Sequence, residues 1–204
     1  MCYLRGVVLD MRARRRVSRA FDPIARELAS LGFTPSAVTL LGVSIAVGGS
    51  VVIGFGYLAA GAAVVGFGAT LDVLDGILAR LTHTETRRGA FLDSVTDRVG
   101  EVAGWTGLGF YLAEQGRSVL VTLCLIAACG SLLISLVRAR AEVEGLVGKG
   151  GLMGRAERIL VFCWGIGLAG IGLPTLVPTV WVLAVLTWVT VLQRFFNTWA
   201  QLKA

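Results

Sequence analysis

The first chemical signal in the chain is a set of four aspartates, Asp72, Asp75, Asp93 and Asp97. They lie at the edges of long apolar blocks, where an isolated charge is expensive and a carboxylate marks function by default. Asp72 and Asp75 are three residues apart, Asp93 and Asp97 four, so each pair shares one face of a helix. The connection 81–89 is short, and it lets the two pairs face each other. Four carboxylates so close repel, and would take up protons rather than stay ionised. A divalent cation resolves that conflict. All-oxygen ligation selects hard ions, Mg²⁺ or Mn²⁺, over zinc, and two ions would nearly balance the four charges. Such a site suits phosphoryl chemistry, where metals bind phosphate oxygens and stabilise the leaving group.

The elements that position these residues follow from hydropathy. Of 204 residues, 55% are hydrophobic and only 16% charged, with a mean hydropathy of +0.78. A soluble domain carries about a quarter charged residues, so the chain reads as an all-α integral membrane protein. Six apolar blocks of near-spanning length run about 37–57, 59–80, 90–113, 118–139, 156–173 and 176–198. Before them, segment 17–31 places Phe21, Ile24, Leu28 and Leu31 at helical intervals, which predicts an amphipathic helix on the membrane surface. The expected organisation is one domain over 1–204, with an N-terminal segment 1–36 and a six-helix bundle over 37–200.

Basic residues set the expected orientation. Arg5, Arg12, Arg14, Arg15, Arg16, Arg19 and Arg26 precede the first block, and Arg80, Arg87, Arg88 and Arg98 surround the second connection. Arg138, Arg140, Lys149, Arg155 and Arg158 surround the fourth, and Arg194 and Lys203 close the chain. Only Arg117 falls on the other side. By the positive-inside rule both termini and the aspartates face the cytoplasm of a multi-pass cell-membrane protein. The net charge of +6 suits anionic headgroups or a phosphorylated substrate; nucleic acid is the weaker reading, because the basic residues sit between apolar spans. Cys2, Cys124, Cys129, Cys163 and the lone His83 show no metal-ligand spacing, and the cysteines read as small hydrophobes. About three dozen residues, many of them charged, precede the first block, too many for the n-region of a cleaved signal peptide.

The segment 72–97 reads Asp, two residues, Asp-Gly, two residues, Ala-Arg, eight residues, Gly, three residues, Asp, three residues, Asp. At Asp72, Asp75, Gly76, Ala79, Arg80, Gly89, Asp93 and Asp97 it resembles in full the signature of the CDP-alcohol phosphotransferase family. The resemblance implies six transmembrane helices after a surface helix, and transfer of a phosphatidyl-type group from a CDP-linked lipid to an alcohol, with release of CMP. It implies that Asp72, Asp75 and Asp93 hold the metals, while Asp97 touches a metal and serves as general base. It also implies that Gly76, Ala79, Arg80, Thr86 and Gly89 meet the CDP-lipid, together with Ser36, Val38 and Thr39 of the Pro35-Ser36-Ala37-Val38-Thr39 stretch. From the residues alone, Gly76 leaves room for a pyrophosphate beside Asp75, and the Arg80 guanidinium suits its oxygens. Gly100 and Gly104 fit ordinary close helix packing. A homodimer is a further expectation carried by the resemblance.

The acceptor alcohol must be read outside that motif. The stretches SLVRARAEVEG, GLMGRAERILV and TVLQRFFN are similar to those of the family's phosphatidylinositol phosphate synthases, which implies CDP-diacylglycerol as donor and inositol 1-phosphate as acceptor. Arg138, Arg155 and Arg194 then become candidate ligands of the acceptor phosphate. Read from the residues, three arginines at the ends of three spans fit either convergence on one phosphate or positive-inside anchoring. Arg140 and Arg158 read as anchors, or as partners of Glu142 and Glu157. Glycerol 3-phosphate, or an archaeal-type ether lipid donor, would fit the same chemistry. The rival class is a cation transporter, which places its carboxylates near the midplane and often shows internal repeats. Here the aspartates cluster near one membrane face and no repeat is found.

Overall fold

Local signals in the sequence set where each helix begins and ends. The computed structural model describes residues 21–148 and 150–202. Residues 21–30 form the described part of α1. There follow α2 (Pro35–Gly54), α3 (Leu58–Leu81), α4 (Arg87–Glu114), α5 (Ser118–Val143), α6 (Arg155–Gly170) and α7 (Leu176–Leu202). All regular structure among the described residues is helical. Thr34 caps α2, its hydroxyl accepting from the Ala37 amide, with Pro35 at the first helical position. Thr86 caps α4, accepting from the Gly89 amide at 3.0 Å. The helices match the six apolar blocks to within about four residues at their ends.

Among the described residues, α2, α3, α5 and α7 are long and apolar enough to cross a membrane. Two helices depart from the six-span expectation by that measure, for different reasons. Helix α4 has 28 residues, but Asp93, Asp97, Arg98 and Glu101 interrupt its apolar run. Helix α6 has only 16 residues. Large apolar side chains such as Leu41, Phe67, Leu125, Trp164 and Val185 are exposed on the outer faces, as lipid contact requires.

The core is continuous from α2 to α7 and is built on Ile53, Leu108, Leu112, Ile166, Val180 and Leu183. Helices α2 and α3 approach closely because glycines face each other. A Cβ on Gly49 would lie 2.8 Å from the Val65 amide nitrogen, and one on Gly61 2.7 Å from that of Ile53. That contact brings the start of α2 beside the aspartates of α3.

Helix α1 docks on the bundle through one part of its apolar face. Ala25 is fully buried, and Phe21 and Leu28 pack with it against Val38, Leu74, Ile77 and Leu78 of α2 and α3. Ile24 and Leu31, placed on the same apolar face by spacing, are exposed. The small Ala25 is the centre of the docking contact, so the buried face is rotated from the one that the large residues mark. Residues 17–20 of that expected helix, and Cys2, Arg5, Arg12, Arg14, Arg15, Arg16, Arg19, Lys149 and Lys203, lie outside the described residues.

Candidate active site

The turn between α3 and α4 fixes the geometry of the aspartates. Thr84 and His83 donate their amides back to Ala79 and Arg80 carbonyls at the end of α3, and His83 adopts φ +54° to make the turn. Helix α4 then restarts at once from the Thr86 cap and returns against α2, with Asp93 near the aspartates of α3. Oxygens of Asp72, Asp75 and Asp93 all lie within 4.8 Å of one another. Asp75 is buried, and Thr39 of α2 donates its hydroxyl to the Asp75 carboxylate. Thr39, expected at the nucleotide, therefore orients a carboxylate of the metal-ligating type. Three hard oxygen donors converging from two helices fit a divalent cation such as Mg²⁺ or Mn²⁺.

Asp97 stands outside that group of three. Its carboxylate faces Arg155, whose Nη1 lies 2.6 Å from Asp97 Oδ1 and 2.5 Å from Asp72 Oδ2. Arg155 thus bridges the first and last aspartates from the start of α6. Arg98 adds a weaker pair with Asp97 at 3.8 Å and donates to the Ser94 hydroxyl at 3.0 Å.

The other two candidate phosphate ligands have protein partners of their own. Arg138 pairs with Glu142 at 2.8 Å. Arg194 donates to the carbonyls of Gly150 at 2.8 Å and Ile134 at 3.3 Å. Arg138 and Arg158 lie close enough to Arg194 to act on it electrostatically. Two expected pairings are corrected here. Glu142 is held by Arg138 rather than Arg140, because residues four apart on a helix are neighbours and residues two apart are not. Arg158 is held by Glu101 of α4 rather than by Glu157, its adjacent residue, at 2.7 Å and 3.1 Å.

The residues expected at the nucleotide line the same end of the bundle. Gly76 has space around it, its nearest neighbour for a Cβ being Arg80 Nη1 at 3.7 Å. Arg80, Thr86 and Ser36 are exposed, Ala79 and Gly89 are partly exposed, and Val38 is buried in the core beneath α1. Gly89 is fixed by the Thr86 cap, which gives it a structural task as well. A cavity of about 50 Å³ runs on from Asp72 and Arg155, past Thr96, Glu101 and Arg158, to Trp105 and Phe162. Gly100 and Gly104, read as packing residues, line it. The Trp105 and Phe162 rings meet edge to face with centroids 5.3 Å apart. Sequence reasoning missed Glu101. Its signal was its place four residues after Asp97, on the same helix face.

A family model, CDP-alcohol phosphatidyltransferase, matches residues 33–200. The chain belongs to the CDP-alcohol phosphatidyltransferase family. The match includes all four aspartates and the whole of α2 to α6. A phosphatidylinositol phosphate synthase of Mycolicibacterium smegmatis is 44% identical over 128 residues, 60% of this chain and 58% of that protein. One from Mycobacterium tuberculosis is 38% identical over 133 residues, covering 63% of this chain and 61% of the relative. The chain thus spans about three fifths of the length of the curated relatives it matches. Among solved structures, the fold is similar to that of Mycobacterium tuberculosis phosphatidylinositol phosphate synthase with CDP-DAG bound. The TM-score is 0.83 and the identity 38%, over 89% of this chain and 94% of that one. The same enzyme in complex with manganese and citrate aligns with a TM-score of 0.82 at 39% identity, over 87% and 88%.

Proposed function

We propose that this chain is a metal-dependent phosphatidyltransferase of phospholipid synthesis. It moves the phosphatidyl group of CDP-diacylglycerol to a hydroxyl of inositol 1-phosphate and releases CMP. The observation that carries the reading is the juxtaposition of a three-carboxylate group with Arg155, a guanidinium at the edge of a hard-metal site. A free alcohol would need no such cation. The names of the relatives, and the CDP-DAG and manganese of the two solved structures, support the same donor, acceptor and class of metal.

Asp72, Asp75 and Asp93 hold the metal, read as two Mg²⁺ ions, with Asp97 completing the set. Bound there, the metal supplies charge stabilisation on the phosphate oxygens of the donor. The chain's residues do the rest. Arg80 pairs with the pyrophosphate, and Gly76 lets it approach Asp75; Ser36, Val38, Ala79, Thr86 and Gly89 shape that end of the site. Thr39 keeps Asp75 turned toward the metal. Arg155 leaves Asp72 and Asp97 to bind the acceptor phosphate, assisted by Arg138 and Arg194 from α5 and α7. Its departure frees Asp97, which takes the proton of the attacking hydroxyl as general base. The oxygen then displaces CMP at the β-phosphorus.

The reading includes six spans, with α4 and α6 among them. The charged face of α4 turns inward, where Asp97 and Glu101 keep only 16% and 10% of their side-chain surface exposed, so lipid does not meet those charges. Arg80, Arg87, Arg88, Arg138, Arg140, Arg155 and Arg194 at one end and Arg117 at the other support a cytoplasmic site and cytoplasmic termini. The test is CMP release by the purified protein with Mg²⁺ and CDP-diacylglycerol, offering inositol 1-phosphate, glycerol 3-phosphate, inositol and serine separately. Release with inositol 1-phosphate alone is expected. Release with another acceptor overturns the assignment of the arginines, and no release with any of them overturns the activity.

A further inference from the structure

One buried charge pair takes no part in the chemistry above. Glu101 and Arg158 are 57 residues apart, and their side chains are 10% and 4% exposed. The guanidinium donates from Nε to Glu101 Oε1 at 2.7 Å and from Nη2 to Oε2 at 3.1 Å, a bidentate fork. Its remaining nitrogen, Nη1, donates to the Met153 carbonyl at 3.2 Å. Burying two charges is costly, and apolar residues of similar volume often stabilise a fold as well or better. The pair therefore asks for a reason beyond stability.

Its position supplies one. Glu101 lies one helical turn after Asp97 on α4, and Arg158 one turn after Arg155 on α6. The two helices face each other across the cavity through two rungs. The first is Asp97 with Arg155, and the second is Glu101 with Arg158. The first rung must open for a ligand to bind, whereas the second lines the cavity with all three guanidinium nitrogens already engaged. Arg158 also grips the connection that leads into α6. On its far side that connection is fastened to α7: the Leu152 amide donates to Gln193 at 2.9 Å and the Met153 amide to Thr190 at 3.2 Å. Arg155 thus leaves a backbone held from two sides, two residues after Met153.

We infer that Glu101 and Arg158 form a positioning pair that keeps Arg155 in register with Asp72 and Asp97, and so sets the affinity for the acceptor's phosphate. The inference rests on the reading of Arg155 as the phosphate ligand. The test uses E101M/R158M, which removes both charges and keeps the volume, beside R158K, which keeps the charge and loses the fork. The double variant is expected to stay monodisperse with an unchanged melting temperature. Its KM for inositol 1-phosphate rises at least about tenfold while that for the CDP-lipid stays within about twofold, and R158K falls between the two proteins. An acceptor KM within twofold of the parent in the folded double variant overturns the inference.

A second measurement does not depend on the acceptor. With Mg²⁺ present, inorganic phosphate is expected to raise the melting temperature of the parent protein and not that of the double variant. If no phosphorylated acceptor supports CMP release but this difference appears, the acceptor assignment falls and the pair's role stands. Equal phosphate stabilisation of both proteins, or none of either, overturns the pair's role.

Discussion

Replacing Arg155 with alanine should act on two ligands in opposite directions. Its Nη1 sits 2.5 Å from Asp72 and 2.6 Å from Asp97, and Asp72 also belongs to the three-carboxylate group. A cation that takes Asp72 therefore competes with a guanidinium for its charge. The side chains are 31% and 16% exposed, so the contact is only partly screened by water. A unit-charge pair about 4 Å apart gains roughly 4 kcal/mol at an effective dielectric near 20. Desolvation offsets several kcal/mol of such a gain, leaving a net of about 1–2 kcal/mol. Removing the competitor should then tighten metal binding about tenfold, since ~1.4 kcal/mol is a factor of ten. The same change deletes a charge-assisted hydrogen bond to the acceptor phosphate, worth about 1.5–3 kcal/mol, and raises the acceptor KM by roughly ten- to a hundredfold. The assays are a Mn²⁺ titration of the substrate-free protein, followed by the electron paramagnetic resonance of free Mn²⁺, and acceptor KM from CMP release. Unchanged or weaker Mn²⁺ binding in Arg155→Ala would refute the competition, and would mean that the arginine holds the aspartates in the geometry the metal needs.

Three further outcomes are expected. Asp97→Asn should abolish CMP release while CDP-lipid binding, measured by equilibrium dialysis, stays within a few-fold of the parent; retained turnover would remove Asp97 from the role of base. Thr39→Val keeps the shape of a buried residue but removes the hydroxyl that donates to Asp75; Mn²⁺ affinity should fall by about 10–100-fold, and an unchanged affinity would show that Asp75 needs no such partner. Gly76→Ala should fold normally, because the nearest atom to the new methyl is 3.7 Å away, yet raise the KM for the CDP-lipid; an unchanged KM would place the pyrophosphate elsewhere.

The parts of the fold legible in the sequence are those governed by short separations. Aspartates three and four apart had to share helix faces, and a short connection had to bring the faces together, so the Asp72, Asp75 and Asp93 group was readable before any coordinates. The caps at Thr34 and Thr86 are local too. The contacts that were missed join distant segments or run through small residues. Ala25 carries the docking of α1, yet a search for large apolar residues passes over it. Arg158 was matched with its adjacent Glu157, although neighbouring residues on a helix point apart; its true partner is 57 residues away. Glu101 followed Asp97 by four residues and continued the same charged face, a pattern visible in the sequence but not used.

That charged face also accounts for the division of labour among the helices. Of α2 to α7, the two outside the set that is long and apolar enough to span are α4 and α6, and these supply Asp93, Asp97, Glu101, Arg155 and Arg158. A helix that offers charge to a reaction cannot also offer an apolar surface all round to lipid. The bundle meets this by turning the polar faces of α4 and α6 toward each other across the cavity, while α2 and α5 pack against α4, and α3 and α7 pack against α6. Shielded in this way, each charge can find a partner of opposite sign, and the charges that remain able to exchange partners are those at the aspartates. Helix α3 crosses the division, being apolar enough to span and yet carrying Asp72 and Asp75 near its end, as α5 and α7 carry Arg138 and Arg194 near theirs. Its aspartates fall in the last three turns, where the proposed phosphorylated acceptor and lipid-borne donor would both reach one metal site.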